Sequence, residues 1–397
     1  MQAPTLNWDP YDLDLDDDPY AAWGRLREHA PVYRNDRYDF WAFSRFADVE
    51  AAHRDPLTYS SARGTVLENM GDDMSALGMM IFLDPPAHTA LRSLVSRALT
   101  PRRVAALEYK VRALCAELLD PLVGAGRFDY VQQFAAQLPS RVISSLVGVA
   151  PEDQEEQRRL VDAMFHIEPE VGTMNDAART AALALITYLS ELVAKRTADP
   201  RDDMVSDLIR AEITDEQGHT RRLTPDECTR FALLLYSAGT ETVAKLLGNA
   251  AVVLAQHPSE RADLVAHPEI IPNAIEELLR FEAPSPVQGR WTTRAVTLHG
   301  VDIPQDSKVL LLTGSAGRDE RAFPDPDRFD VRRDMQHHLS FGYGVHFCLG
   351  AALARLEGRV ALEETLKRFP TWDVDPAGVT RVHTSTVRGY REVAILV

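Results

Sequence analysis

The chain is poor in cysteine, in net positive charge and in long apolar runs. Its three cysteines, Cys115, Cys228 and Cys348, are far apart and odd in number, which argues against a disulfide framework and leaves each thiol to be judged alone. Forty-three Lys and Arg stand against 59 Asp and Glu in 397 residues, a formal charge of −16. That balance is wrong for a protein whose main partner is nucleic acid. No apolar run approaches the ~20 residues a bilayer span needs, and Met1 to Tyr20 is acidic rather than basic-then-apolar. The expectation is a cytoplasmic protein with no membrane partner. No repeat or low-complexity linker is visible either. What remains is ordinary globular composition, 45% hydrophobic and 26% charged, enough for a large core and against global disorder.

Most of the chain reads as helix. Arg103 to Leu122, Asp176 to Ala198, Pro225 to Gln256, Pro272 to Phe281 and Leu349 to Phe369 place apolar residues three and four apart. The third has the clearest start: Thr224 can cap, Pro225 takes the first helical position and Glu227 completes a capping box. Thirty-two residues at ~1.5 Å each make a helix roughly 48 Å long. Length alone would suggest two or three domains, but a helix that crosses a whole domain fits one large unit better. Beta structure is sparse. Val32 to Ser44 suits a hairpin around Asn35-Asp36-Arg37, and Val296 to Leu298, Val309 to Leu312 and Val393 to Val397 are further strand candidates. Gly64 to Asp84 and His166 to Met174 read as long loops, which are often functional.

Cys348 closes the run Phe341-Gly342-Tyr343-Gly344-Val345-His346-Phe347-Cys348-Leu349-Gly350, just before an amphipathic helix. Unpaired N–H groups at a helix start favour thiolate over thiol, the state a metal ligand needs. Gly342, Gly344 and Gly350 remove side chains around the sulfur, so a large flat ligand could approach the backbone. For Cys115 and Cys228 a small buried hydrophobe is the expected role. A zinc site from His337, His338, His346 and Cys348 lacks paired ligand spacing, and covalent c-type haem lacks Cys-x-x-Cys-His.

This decapeptide resembles the haem-binding loop of the cytochrome P450 family, the haem-thiolate monooxygenases. Three further motifs agree in order: His88-Thr89-Ala90-Leu91-Arg92, Ala238-Gly239-Thr240-Glu241-Thr242 and Glu277-Leu278-Leu279-Arg280. They are similar to the family's propionate-binding helix, oxygen-activation helix and Glu-x-x-Arg helix. Phe323 to Phe329 resembles the segment before the haem loop. The resemblance implies a mainly α fold with small β-sheets, the cytochrome P450 fold, with residues 1–397 as a single domain around a long central helix.

The resemblance also assigns roles. It implies haem b (iron protoporphyrin IX) with Cys348 as axial thiolate ligand, and Phe341, Gly342, Gly350, Ala238 and Gly239 against the cofactor. His88, Arg92, Arg290 and His346 would hold its propionates, His346 being the rival iron ligand. Thr242 would serve oxygen activation by hydrogen bonding, and Glu241 by relaying protons through water. The alternative for Glu241 is an ion pair with a neighbouring Arg or Lys. Glu277 and Arg280 share a helix face and are expected to brace the haem loop with Arg328, Arg332 lying close in sequence.

By the same resemblance, a pocket would be lined from Arg63 to Phe82, Phe165 to Met174, Leu234 to Thr242, Pro284 to Gln288 and around Ser385 to Val387. Met79, Met80, Ile81, Leu235, Val287 and Thr386 are the candidate substrate contacts. Much of this lining is apolar and adjustable, as thioethers are, so a hydrophobic small-molecule substrate is expected, with core packing as the alternative for each Met. Between Arg92 and Arg112 six cations, Arg92, Arg97, Arg102, Arg103, Lys110 and Arg112, stand against Glu108. Such a patch would steer an acidic partner. The expected function is an O2-dependent monooxygenase, monomeric and fed electrons by a separate ferredoxin. The alternatives are a noncatalytic haem sensor or carrier and a peroxide-using haem-thiolate enzyme.

Overall fold

The computed structural model describes residues 6–96, 99–165, 175–214, 219–384 and 387–397. Eleven helices matter for the site: α1 (Tyr20–His29), α2 (Phe46–Arg54), α3 (Ala87–Ser96), α4 (Glu108–Leu119), α5 (Gln137–Val147), α6 (Gln154–Met164), α7 (Asp176–Ala198), α8 (Met204–Arg210), α9 (Pro225–Gln256), α10 (Ile271–Phe281) and α11 (Ala351–Arg368). Of these, α7 and α9 match the sequence expectation residue for residue. The expected helix from Arg103 to Leu122 is divided instead, into Pro101–Ala105, α4 and a single 3-10 turn.

Local chemistry sets the start of α9. Thr224 Oγ1 accepts from the Glu227 N–H at 3.2 Å, the Glu227 carboxylate accepts from the Thr224 N–H at 2.8 Å, and Arg221 grips that carboxylate at 2.7 Å. Beyond the cap the helix is sustained by packing. Leu246, Leu247, Ala250 and Leu254 are buried against α10, α11 and α5, each Leu contributing about 1.5–3 kcal/mol by leaving water. Close approach fixes the glycines: a Cβ at Gly239 would meet Ile143 of α5 at 2.7 Å.

The three further strand candidates are found as Val296–Leu298, Lys308–Leu311 and Arg388–Leu396. The hairpin β1 (Val32–Asn35) and β2 (Phe40–Phe43) is present, and its sheet continues through β10 (Lys308–Leu311), β7 (Gln288–Thr292) and β3 (Tyr59–Ser60) in the order β1-β2-β10-β7-β3. A second sheet runs β11-β12-β4, from β11 (Asp373–His383), β12 (Arg388–Leu396) and β4 (Arg127–Asp129); β5 (Glu212–Thr214) with β6 (Thr220–Arg222) and β8 (Val296–Leu298) with β9 (Val301–Ile303) are separate hairpins. Gly64 to Asp84 is not plain loop, since it contains 3-10 turns at Leu67–Asn69, Met74–Leu77 and Met80–Phe82. The segment His166 to Met174 lies outside the described residues.

The expectation about apolar length needs one correction. Among the described residues α7 is a helix long and apolar enough to cross a membrane. Its stripe of Leu185, Leu189, Leu192 and Val193 is buried in a core shared with α3, α5, α8 and α9.

Candidate active site

The loop carrying Cys348 is set by two left-handed glycines and by α2. Gly342 and Gly344 have φ of +66° and +67°, a region that favours glycine. A Cβ on Gly344 would collide with the carbonyl oxygen of His53. The Cys348 N–H donates to the Phe341 carbonyl at 2.8 Å, folding the loop back on itself two residues before Gly350, the N-cap of α11. Burial pushes the Cys348 thiol up, against lowering by the Gly350 N–H, Arg92 and Arg355. The helix-start effect expected from sequence is thus present and outweighed by desolvation. Arg355 stacks on the Phe341 ring at 4.6 Å and is clamped by Glu276 at 2.7 and 2.8 Å. The two histidines considered for zinc are engaged elsewhere, His337 with Glu50 at 3.1 Å and His338 with Glu276 at 3.2 Å.

Beside this loop the chain brings together His88 and Arg92 of α3, Arg290 of β7 and His346. The His88 and His346 rings lie 4.2 Å apart, His346 Nε2 is 3.3 Å from Ser61 Oγ, and an Arg92 guanidinium nitrogen donates to the Phe347 carbonyl. A fifth member, His53 of α2, was not expected. Both ring nitrogens of His53 and of His88 are buried without a hydrogen-bond partner among the described residues. Burial first, and then neighbouring cations, hold His53 down to about 3, His88 to about 4 and His346 to about 2, while burial lowers Arg290 to about 10. The nearby carboxylate, Asp84, already accepts from Ser60 and Ser61. Two arginines and three imidazoles therefore share a pocket with too little negative charge.

The third component is the middle of α9. Thr240 Oγ1 donates to the Tyr236 carbonyl at 2.8 Å and Thr242 Oγ1 to the Ala238 carbonyl at 3.3 Å, the back-bonding expected of helical threonines. Ala238 is exposed within this otherwise buried stretch, and Thr242 is half-buried one turn away. Glu241 points elsewhere on the helix and pairs with Lys245, Oε2 to Nζ 3.0 Å, with both side chains less than 10% exposed. This is the alternative ion pair weighed from sequence.

The family profile described as Cytochrome P450 matches residues 48–386. The chain belongs to the cytochrome P450 family. A Mycobacterium tuberculosis relative bearing the name cytochrome P450 123 is 41% identical, with 99% of this chain and 98% of the relative covered. The 6-deoxyerythronolide B hydroxylase of Saccharopolyspora erythraea is 39% identical over 93% and 92% of the two chains. In structure, a mutant of the P450 EryK in complex with erythromycin B superposes with a TM-score of 0.87 at 36% identity, covering 98% of this chain and 97% of that one. The protein is a cytochrome P450 monooxygenase, and its family implies haem held by a cysteine thiolate.

The residues of this P450 fit such a group. A half-buried cysteine sulfur is a soft ligand suited to iron, and a cluster of cations and unpartnered imidazoles beside it is what two desolvated carboxylates require. Gly239 faces α5, where the close contact with Ile143 explains it as a packing residue. The expected substrate contacts are divided by the structure. Met80 and Leu235 share a buried cluster with Ile143, Met79 is half-buried and Ile81 is exposed. Val287 instead lines a small cavity of about 50 Å³ with Trp8, Trp23, Thr65, Leu67 and Arg388. Thr386 lies outside the described residues.

Two expectations for the P450 are corrected in detail. The third partner of the Glu277–Arg280 pair is Arg333, whose Nε lies 3.1 Å from Glu277; Arg328 contributes its carbonyl to Arg280 and Arg333, and Arg332 pairs with Asp263. The stretch from Arg92 to Arg112 does not present +5 to solvent. Arg112 is held by Glu108, Glu363 and Glu364, Arg103 by Asp207, and Arg92 turns inward. Arg102 and Lys110 are exposed with no ion pair among the described residues, and Arg97 lies outside them.

Sequence reasoning missed His53, Arg333 and Asp162. His53 looks like any histidine on an amphipathic helix, although it precedes Arg54, which reaches Tyr343 of the haem loop at 3.0 Å. Asp162 sits in the charged run of α6 and carries no sequence signal. Its side chain is 45% exposed, yet its carboxyl is raised, by partial desolvation and by the neighbouring Glu241.

Proposed function

We propose that residues 1–397 act as one domain that binds haem b through Cys348, and inserts one atom of O2 into a hydrophobic small organic molecule using electrons from a separate ferredoxin. The observation that carries this reading is the cation pocket beside Cys348, where His53, His88, Arg92, Arg290 and His346 gather with too little negative charge. Two propionates would supply what that pocket lacks. A relative named as a hydroxylase supports hydroxylation as the reaction.

When bound, haem with a thiolate ligand supplies oxygen activation in which O–O cleavage is favoured over reversible binding. The chain's own residues do the rest. Arg92 and Arg290 would fix the cofactor's carboxylates, and His88 and His53 would donate from their unpartnered nitrogens, with His346, its Nε2 shared with Ser61, beside them. The Thr242 hydroxyl, now lent to the Ala238 carbonyl at 3.3 Å, can rotate to donate at the exposed face of α9 beside Ala238. Glu241, held by Lys245, moves protons toward that face. Met80 and Leu235 exclude water and suit an apolar substrate.

The test is turnover. With O2, a reductant, and a ferredoxin with its reductase, a compound that shifts the spin state of the bound haem should yield an oxygenated product. Ligand-dependent spectral shifts with no product under those conditions would favour a sensor or carrier instead.

A further inference from the structure

We propose that Arg230 of α9 anchors a carboxylate of the substrate, so that the molecule oxidised is an apolar organic acid held by its charged end. The inference deepens the monooxygenase reading above and rests on it. Arg230 sits in the second turn of α9, half-buried, and its guanidinium makes no hydrogen bond or ion pair among the described residues. An arginine carries five N–H donors and cannot shed its charge. A partly desolvated guanidinium with no acceptor is therefore an unused binding group. In a chain of formal charge −16, an internal partner would have been easy to supply.

The acids that could pair with it are placed otherwise. Glu227, three residues back and so its natural neighbour on the helix, is held by Arg221 at 2.7 Å and by the Thr224 N–H at 2.8 Å. Asp226, four residues back, is exposed and forms no pair with it. In the segment before α3, Asp73 accepts from the Ser75 N–H at 3.1 Å and the Ser75 hydroxyl at 2.5 Å. Glu68, whose own oxygens are buried without a partner, does not reach the guanidinium. What covers Arg230 is backbone. Gly78 ends the Met74–Leu77 turn at a φ of +61°, so close that a Cβ there would lie 3.7 Å from Arg230 Nε and 3.8 Å from Nη2. Nε is buried, whereas the two Nη nitrogens are not. The open edge is the end-on pair Nη1 and Nη2, a fork that takes both oxygens of one carboxylate.

Position relates this fork to the reactive face. Arg230, Leu234 and Ala238 follow one another at four-residue spacing, a row that winds along one side of the helix. None of the three is buried, while Phe231, Leu235 and Tyr236 between them are. Leu234 packs, partly buried, against the cluster that contains Met80, two residues beyond Gly78. Eight residues at ~1.5 Å each set Arg230 roughly 12 Å along the axis from Ala238. The row runs from a cation, past an apolar step, to the exposed turn that carries Ala238. An apolar molecule with a carboxylate at one end matches that order. Its acid is held at Arg230, and oxidation falls on the part remote from the acid.

Calorimetric titration of the full-length haem-loaded protein tests the anchor without turnover. Dodecanoate and cholate are the probes, each beside its methyl ester, which keeps the apolar body and removes the charge. At least one acid should bind wild type on the order of 10-fold tighter than its ester, the low end for a hydrogen bond to a charged group. That preference should shrink with added salt, vanish in Arg230→Gln and survive in part in Arg230→Lys. The bound acid should also shift the haem spin state. Equal binding of acid and ester in both pairs, a preference unchanged in Arg230→Gln, or a preference with no change in the haem spectrum overturns the proposal. If Arg230→Gln does not load haem, a preference that neither salt nor Arg230→Lys reduces overturns it. Turnover with O2, a ferredoxin and its reductase separates the two readings. An acid preference lost in Arg230→Gln, with no oxygenated product from wild type, keeps the anchor and overturns the monooxygenase reading. Product formed equally from acid and ester, by wild type and Arg230→Gln alike, overturns the anchor alone.

Discussion

The Glu277 carboxylate and the Arg280 guanidinium, one turn apart on α10, form a two-pronged ion pair at 2.6 and 2.7 Å with neither side chain exposed. Arg280 spends its remaining nitrogen, Nη1, on the carbonyls of Gly317 and Pro326, and Glu277 also accepts from the Asp330 N–H at 3.0 Å. The pair thus ties α10 to the chain leading into the haem loop. Removing one partner would leave a buried charge alone, a cost of about 3–5 kcal/mol. Glu277→Gln should therefore lower the denaturation midpoint sharply or prevent haem incorporation, as followed by thermal melting and the haem-to-protein absorbance ratio. A variant that melts and loads like wild type would remove this pair from the scaffold.

Glu357 on α11 is buried, its Oε2 has no hydrogen-bond partner among the described residues, and burial raises it to about 8. Between its ordinary value near 4.5 and about 8 the folded state holds a proton that the unfolded state has released, so this residue's contribution to stability falls as pH rises. Glu357→Gln should be melted in parallel with wild type. It should gain relative stability from pH 5 to pH 8, by several degrees at the upper end; a constant difference between the two proteins across that range would contradict the assignment.

Thr242 is placed to change partners, and Thr242→Ala removes the hydroxyl while favouring the helix. Reductant consumption should continue while product yield drops several-fold and hydrogen peroxide accumulates. Yield per reductant is the measurement, and an unaltered ratio would take Thr242 out of proton management.

The basic surface proposed to receive a ferredoxin is narrower than the sequence suggests. Because Asp207 already neutralises Arg103, charge reversal at Lys110 or Arg102 should slow reduction more than reversal at Arg103, and added salt should erase the difference. Stopped-flow reduction rates at two ionic strengths decide this. Equal effects at all three positions would argue against docking here.

What could be read in advance was local or ordered. The Thr224 cap, the α7 and α9 periodicities and the Cys348 loop each sit within a few turns of sequence, and the motifs from His88 to Cys348 needed only their order. What escaped depended on tertiary direction. Arg328, Arg332 and Arg333 lie within six residues, and the path of the turn alone selects which reaches Glu277. β11 is polar, contains Pro376 and changes register between Val374 and Val379, so no alternation betrays it. Asp162 has the look of a solvated helix face until α9 is packed against it.

The account stands on Cys348 as the residue that would hold iron, and the absorption spectrum of the reduced carbon monoxide complex tests that most directly. The account predicts the strongly red-shifted Soret band of thiolate ligation in the wild type and its loss in Cys348→Ser. A wild-type spectrum of the histidine-ligated kind, or a red-shifted band that persists in Cys348→Ser, would contradict it.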